Sequence, residues 1–235
     1  MGNAAASAFR EEPVGTGTLT GKMGRCIAPA TVSTSPLDLS IRVTSMMSKT
    51  SEIVDASSGK VLYTFTSSMS FRKLTITVTD ASGALVCKGF GKDGLQSATF
   101  RVLRPSPAFK GQPEATEKLG EAALYTCATC EINKGFASAT ATYSTIKGDE
   151  DGQAVPVKLY EARKLRAFAF LLAVENLEGE LVAKVTQNGI DNRRLAGAVG
   201  KGVDVVAAML ISAFVGIATG SAGGAVGGMV GAGVV

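Results

Sequence analysis

The sequence VDVVAAMLISAFVGIA, residues 203–218, decides the fold, because its only charged residue is Asp204. The run is apolar on all sides, which is typical of a helix that is buried completely or lies in a bilayer. At 1.5 Å per residue it is roughly 24 Å long as a helix, which suits a barrel lumen and is short for a bilayer. Asp204, in the first turn, suits the positive end of the helix dipole.

The residues that follow, 219–235, form a Gly-rich apolar tail. Glycines recur every four residues in and beyond the helix, at Gly216, Gly220, Gly224 and Gly228. This pattern lets helices approach closely in membranes, but in water it makes a poor helix. Two interpretations stay open: a buried helix with a mobile tail, or a C-terminus that is inserted in a membrane.

Upstream of the helix, the chain is a succession of short strand-like runs. They are rich in Val, Ile, Thr, Tyr and Phe and read LSIRVTSM, KVLYTFTS, LTITVTD, ALVCKGF and SATFRVLR, then ALYTCATCEI, FASATATYSTI, VPVKLYEAR, AFAFLLAVEN and LVAKVTQN. Hairpin turns are expected at residues 55–59 and 80–83, which read DASSG and DASG. Without helical patterns between the runs, we expect antiparallel meanders, with the two groups forming like halves of one closed sheet.

The composition excludes several function classes. The chain contains no histidine, so Ser-His-Asp and Cys-His catalysis and His-containing metal sites are excluded. The glycine motif of residues 89–94, GFGKDG, is followed by a strand-like run where a dinucleotide site needs a helix, so it indicates a hairpin. We therefore expect no enzyme and no cofactor.

The four cysteines indicate reduced thiols. No export signal is seen at the N-terminus, so a cytosolic setting is expected for Cys26, Cys87, Cys127 and Cys130. Cys127 and Cys130 form a lone CxxC in a strand-like run, which favours structural thiols over zinc or redox chemistry.

Positive charge is concentrated in residues 72–110. This stretch contains only two acidic residues, Asp80 and Asp93, but seven basic ones: Arg72, Lys73, Lys88, Lys92, Arg101, Arg104 and Lys110. Such a band could meet the phosphates of lipids or nucleic acids, or be a solvated sheet face. Met1-Gly2-Asn3 also approximates an N-myristoylation start, although Ala6 stands where Ser or Thr is usual.

The order of features resembles the LURP-one-related and phospholipid scramblase proteins of the Tubby C-terminal-like fold. The resemblance covers about residues 38–218 and rests on DASSGK between strands, LTITVTDASGALVCK, ALYTCATCEI, FASATATYS, GIDNRRL and the helix start GVDVVAAMLISAF. It implies a mainly β fold: a closed antiparallel twelve-stranded barrel around a buried hydrophobic C-terminal helix. The expected organisation is a flexible leader at 1–37, a barrel at 38–218 with its central helix at 203–218, and the tail at 219–235. The chain lacks the cysteine-rich cluster and proline-rich leader of scramblases.

Two functions are expected from these features. The first is a non-enzymatic module, cytoplasmic and peripheral to a membrane, that binds anionic phospholipid or phosphoinositide headgroups, with no nucleic acid partner. Charge alone nominates Arg72, Lys73, Lys88 and Arg101 as lipid-binding residues, and Gly2 as the lipidation site. The alternative is an integral or tail-anchored, scramblase-like protein inserted through its C-terminus.

Overall fold

The computed structural model describes residues 12–17, 26–45, 50–70, 73–94, 96–105, 124–135, 138–148, 154–165, 171–187 and 194–219. Within these ranges the chain forms twelve strands, one α-helix and a single 3-10 turn at Pro29–Thr31. The elements are β1 Leu37–Ser45, β2 Thr50–Asp55, β3 Val61–Ser70, β4 Lys73–Asp80, β5 Leu85–Asp93, β6 Ser97–Pro105, β7 Leu124–Lys134, β8 Ala139–Gly148, β9 Ala154–Lys164, β10 Leu171–Glu175, β11 Leu181–Gln187, β12 Arg194–Val199 and α1 Val205–Ala218.

The strands form one closed barrel in which each strand is antiparallel to both of its neighbours. Strands that are consecutive in the chain are neighbours in the sheet, and β1 closes the barrel by pairing with β12, with Leu39 opposite Gly197. The predicted mainly β fold, a closed antiparallel barrel of twelve strands with a C-terminal helix, is confirmed. Closure leaves no long sheet edge open to association with other chains.

The helix α1 fills the barrel. All fourteen of its residues are buried, and the Phe214 ring stacks on Phe100 of β6 with the centroids 4.2 Å apart. A helix was predicted over residues 203–218, and the observed helix begins two residues later, at Val205. Among the described residues, no helix is both long and apolar enough to cross a bilayer. The tail from residue 220 onwards lies outside the described residues.

The glycines of the GFGKDG motif make room for aromatic side chains. Gly89 and Gly91 lie in β5, and a Cβ atom on Gly89 would stand 2.7 Å from Cζ of Phe214. A Cβ on Gly91 would overlap the Phe100 ring in the same way. The turn follows at Gly94, whose N–H donates to the Ser97 carbonyl over 3.0 Å, and strand β6 comes next. The motif is therefore a strand and a hairpin turn, as predicted.

Aspartate turns connect β2 to β3 and β4 to β5, where they were predicted. Asp55 Oδ1 accepts hydrogen bonds from the Ser57 backbone N–H over 2.9 Å and from the Ser57 hydroxyl over 2.7 Å. Asp80 makes the equivalent bonds with Ser82. The glycine that completes each turn has a positive φ, 70° at Gly59 and 84° at Gly83, which other residues rarely adopt.

Residues 26–33 lie across the end of the barrel at which α1 begins, and we call this the capped end. Their backbone is held by side chains from widely separated strands: Tyr63 of β3 donates to the Ala30 carbonyl over 3.2 Å, and Arg104 of β6 donates to the Ile27 carbonyl over 2.6 Å. Val32 forms an isolated bridge with Asp204, just before α1. We call the opposite end, where Thr219 at the end of α1 contacts Lys164 of β9, the far end.

A second part of the expected leader also contacts the barrel. The Gly15 N–H donates to the Leu181 carbonyl and the Gly17 N–H to the Lys201 carbonyl, both over 2.7 Å. A Cβ atom on Gly17 would lie 2.7 Å from the Gly202 oxygen, so this close approach of two chain segments requires glycine. The flexibility expected for residues 1–37 stays a prediction for the rest of the leader, which lies outside the described residues.

Removing α1 should unfold the domain. A chain that stops after Gly202 loses the side chains that fill the lumen, each large one stabilising the fold by about 1.5–3 kcal/mol. The sum approaches the whole stability of a typical domain. We expect loss of the cooperative thermal transition in circular dichroism. A chain that stops after Thr219 keeps α1 and serves as the control. A folded protein without α1 would contradict the central role of the helix.

Gly89→Ala should destabilise the barrel by about 1–3 kcal/mol, because the added methyl group overlaps Phe214. The matched control is Gly197→Ala, since its Cβ would meet Leu39 at an ordinary 3.4 Å. We expect the control to be neutral or slightly stabilising, because alanine costs less backbone entropy than glycine. Urea unfolding of both variants measures the difference. Equal free energies of unfolding for the two variants would contradict the tight contact between Gly89 and the Phe214 ring.

Candidate functional site

A basic face lies on the outer wall of the barrel, on β5 and β6. Along β5 the residues alternate, with Cys87 and Gly89 buried and Lys88 and Lys92 on the outside. On β6 the exposed Arg101 stands between two buried inward residues and is paired with Phe90 of β5. Strand alternation thus brings Lys88, Lys92 and Arg101 to one wall, and we call these three residues the basic face.

Four residues were nominated from charge, and the structure brings two of them together. Lys88 and Arg101 lie on adjacent strands of the basic face, because Lys88 is paired with Leu103, two residues beyond Arg101. Lys73 begins β4 directly opposite Lys92, and its side chain is outside what the structure describes. Arg72 and the proposed lipidation site Gly2 lie outside the described residues.

Lys92 was counted in the basic band but was not nominated. It is exposed at the end of β5, four residues after Lys88, so both side chains leave the same face of the strand. Lys92 could have been nominated from the sequence, because in a strand every second residue of GFGKD lies on the same face as Lys88.

The cations of the basic face are not paired with acidic side chains of the described chain. The described ion pairs, Lys158–Glu161 and Arg163–Glu175, involve only β9 and β10. Across the sheet, Glu131 of β7 lies two strands away from Lys92: it is paired with Thr99, and Thr99 is in turn paired with Lys92. On β4, Thr75 and Thr77 stand opposite Phe90 and Lys88 and add hydroxyl groups beside the cations. Such a surface can bind phosphate groups through charge and hydrogen bonds.

The cysteines are buried thiols with little tendency to ionise. Burial raises the pKa of Cys26 to about 11 and that of Cys127 to about 12. It also raises the pKa of Cys87 and Cys130. Since thiolates are the reactive and metal-binding form, this environment disfavours both uses. Among the described residues, no group of three or more His, Cys, Asp or Glu side chains is placed to hold a metal.

The two cysteines of the CxxC motif are separated by a bulge in β7. Ala128 is paired with Val102 and Thr126 with Leu103, so Cys127 is the extra residue between them. Its thiol donates to the Val102 carbonyl over 3.4 Å, and the side chain packs against the core that contains Cys130. Simple alternation places residues three apart on opposite faces of a strand, and the bulge changes that alternation here.

Asp204 is a completely buried carboxyl group at the capped end, and both of its oxygens accept backbone hydrogen bonds. Oδ1 accepts the Ala207 N–H over 2.9 Å as the cap of α1, and Oδ2 accepts the Ile27 N–H over 2.6 Å. The Asp204 N–H donates to the Tyr160 hydroxyl over 3.2 Å. Burial raises the pKa of Asp204, although these hydrogen bonds act in the opposite direction. Because its oxygens are already used by backbone donors, the group is suited to holding the fold together.

Two buried tyrosines complete the polar interior. Burial raises the pKa of Tyr143 and of Tyr160, whose rings are 6.2 Å apart. The Tyr143 hydroxyl has no hydrogen-bond partner within the described part of the chain. With these raised pKa values, the buried tyrosines and thiols stay protonated near neutral pH.

Asp204→Asn should destabilise the protein by about 1–3 kcal/mol, because the amide NH₂ must face one of two backbone N–H donors. The raised pKa also fixes a pH dependence. The stabilising contribution of Asp204 is complete below its unfolded pKa, near 3.8, and falls as the pH rises through the higher folded value. The difference in the free energy of unfolding between wild type and Asp204→Asn should therefore decrease above about pH 4. Urea unfolding at several pH values measures it.

Asp80→Asn is the control with the opposite sign. Hydrogen bonds from Ser82 hold the pKa of Asp80 below 3.8 despite partial burial, so its contribution is present above that pH and is lost as the pH falls. If the stability difference between wild type and Asp204→Asn grew with rising pH, as expected for Asp80→Asn, the raised pKa of Asp204 would be contradicted.

No protein-family model matches this chain, and a search of the curated proteins finds no sequence similar to it.

Proposed function

We propose that this protein is a non-enzymatic module that binds the anionic headgroups of phospholipids at a membrane surface. The observation that carries the proposal is the basic face: Lys88, Lys92 and Arg101 leave the same wall and have no acidic partner among the described residues. A cation without an acidic partner can attract an external anion, whereas the charge of a paired cation is largely neutralised by its partner.

The magnitude of this attraction explains why a second membrane signal belongs to the proposal. A basic residue near an anionic membrane contributes about 1 kcal/mol, so three of them give only weak binding. Lys73, which is paired with Lys92, and Arg72 before it in the sequence would add charge, and acylation of Gly2 would add an apolar anchor. One myristoyl chain alone binds membranes marginally, so chain and cations would have to act together. The proposed location is the cytoplasmic surface of a membrane.

The resemblance to LURP-one-related and scramblase proteins supports the same proposal, since Tubby-type members bind phosphoinositides through basic side chains. The buried interior supports the non-enzymatic part, because burial keeps the thiols and tyrosines protonated. The alternative proposal, a scramblase-like protein inserted through residues 219–235, is favoured by the absence of charge in that tail.

Vesicle co-sedimentation of the full chain tests the proposal. Binding should require anionic lipid in phosphatidylcholine vesicles and should weaken steeply between about 0.05 and 0.5 M salt, because exposed charges are screened. Replacing Lys73, Lys88, Lys92 and Arg101 by Gln should reduce the partition coefficient more than about a hundredfold, at about 1 kcal/mol for each charge.

The matched control replaces four exposed or turn cations elsewhere, Lys60, Lys158, Arg163 and Lys201, by Gln, which changes the net charge equally. We expect this variant to bind much more strongly than the first. Equal loss in both variants would mean that net charge alone matters, and binding that ignores anionic lipid would overturn the proposal. Protein from cells that stays in the membrane pellet after carbonate washing, but is released when residues 220–235 are removed, would favour the inserted alternative.

A further inference from the structure

Phe90 is an aromatic side chain on the outer wall of the barrel, in the middle of the basic face. It lies between Lys88 and Lys92 on β5, and all three leave the same side of the strand because the residues that alternate with them point inward. Across the sheet, Phe90 is opposite Arg101 of β6 and Thr75 of β4. Cations and a hydroxyl group therefore border the ring on every side along the sheet.

The ring itself remains partly open to solvent. Phe90 is only half-buried and lies outside the core cluster. Among the described residues, a cation over an aromatic ring is found only for Arg104 and Tyr125, so the guanidinium of Arg101 does not cover Phe90. Other aromatic side chains of the described strands are buried in the core: Phe65, Phe100, Tyr143 and Tyr160.

The cations of the basic face are close to the ring. Residues directly opposite each other in an antiparallel pair have their Cβ atoms about 4.5–5.5 Å apart, which is the relation of Arg101 to Phe90. Lys88 and Lys92 are each two residues away along β5, or about 7 Å on either side. A single exposed apolar residue is ordinary on a protein surface, but an aromatic ring among three cations without acidic partners is a specific combination.

Exposed apolar residues at the capped end lie in acidic surroundings instead. Leu177 is 59% exposed, and Glu178 follows it in the same turn. Val155 and Val157 of β9 are also exposed, and the sequence just before them, at residues 149–151, reads DED. An anionic surface repels both places, so neither combines apolar contact with charge attraction.

Leu165 at the far end is exposed as well, but the charge on its strand is neutralised. Arg163, two residues earlier on β9, is paired with Glu175 of β10. Lys164, between them, is buried and donates to the Thr219 hydroxyl. Within the described chain, an outward apolar side chain therefore coincides with unpaired cations at Phe90.

We infer that Phe90 enters the interface of an anionic bilayer, with Lys88, Lys92 and Arg101 on the headgroups around it. This inference rests on the proposed function and adds an apolar anchor and an orientation. The β5–β6 wall lies against the membrane, and β11, six strands from β5 in either direction around the barrel, faces away from it. An anionic bilayer fits this surface because it attracts basic side chains while its interface accepts aromatic ones.

Phe90→Ala should weaken binding of the full chain to vesicles of phosphatidylcholine and phosphatidylserine about tenfold, because the variant loses the burial of one aromatic ring. Salt does not screen apolar burial, so this ratio to wild type should persist between about 0.05 and 0.2 M salt, whereas the loss caused by Lys88→Gln with Arg101→Gln should shrink. The matched control, Leu177→Ala, should bind as wild type does. Wild-type binding by Phe90→Ala would overturn the inference.

Tryptophan scanning tests the orientation directly, because the natural chain has no tryptophan. Phe90→Trp places a reporter on the basic face, while Leu165→Trp and Leu177→Trp place controls at the two ends of the barrel. With anionic vesicles that contain brominated lipids, Phe90→Trp should lose most of its fluorescence and shift to shorter wavelength. The two controls should change little.

The outcomes separate the orientation from the proposed function. If the variants sediment with anionic vesicles but Phe90→Trp is not quenched, or a control is quenched in its place, the orientation is overturned and lipid binding stands. Failure of the wild-type chain to sediment would overturn lipid binding, and the orientation with it. Circular dichroism of each variant checks that the barrel is folded, and Phe90→Trp, which keeps an aromatic ring, serves if Phe90→Ala does not fold.

Discussion

The whole arrangement depends on one carboxyl group, Asp204, which joins three parts of the chain that are far apart in sequence. One of its oxygens caps α1 and the other holds the backbone of Ile27, 177 residues away. Burial of a carboxyl group is costly unless every oxygen has a donor, and here backbone N–H groups supply them. The helix therefore begins at one defined height in the lumen, which aligns Phe214 with the gap that Gly89 leaves in β5 and with the Phe100 ring on which it stacks.

Much of this fold could be predicted from the sequence, because its strongest patterns are local. The apolar helix and the two aspartate turns were found where the structure has them. Strands β2 and β12 were not among the runs picked out as strands. The first, TSEIVD, is short and bounded by polar residues, and the second, RLAGAV, consists largely of small residues with weak strand preference. Gly197 of β12 lies opposite Leu39 of β1, a pairing that exists only after the barrel closes.

The candidate site was predictable only in part, because it depends on register across strands. Charge counting found Lys88 and Arg101 but could not show that a pairing of Arg101 with Phe90 puts them on one wall.

The pairing of β1 with β12 has a consequence for biosynthesis. Strand β1 leaves the ribosome long before its partner, and at 5–20 residues per second the delay from Leu37 to Arg194 is roughly 10–30 s. During that time the inner faces of the nascent strands have no helix to cover them, because α1 follows β12 in the chain. The nascent chain therefore cannot complete its fold until α1 has left the ribosome. Because α1 comes last, a chain that a premature stop codon truncates before α1 lacks the centre of its core. Such a chain does not fold and is open to proteolysis.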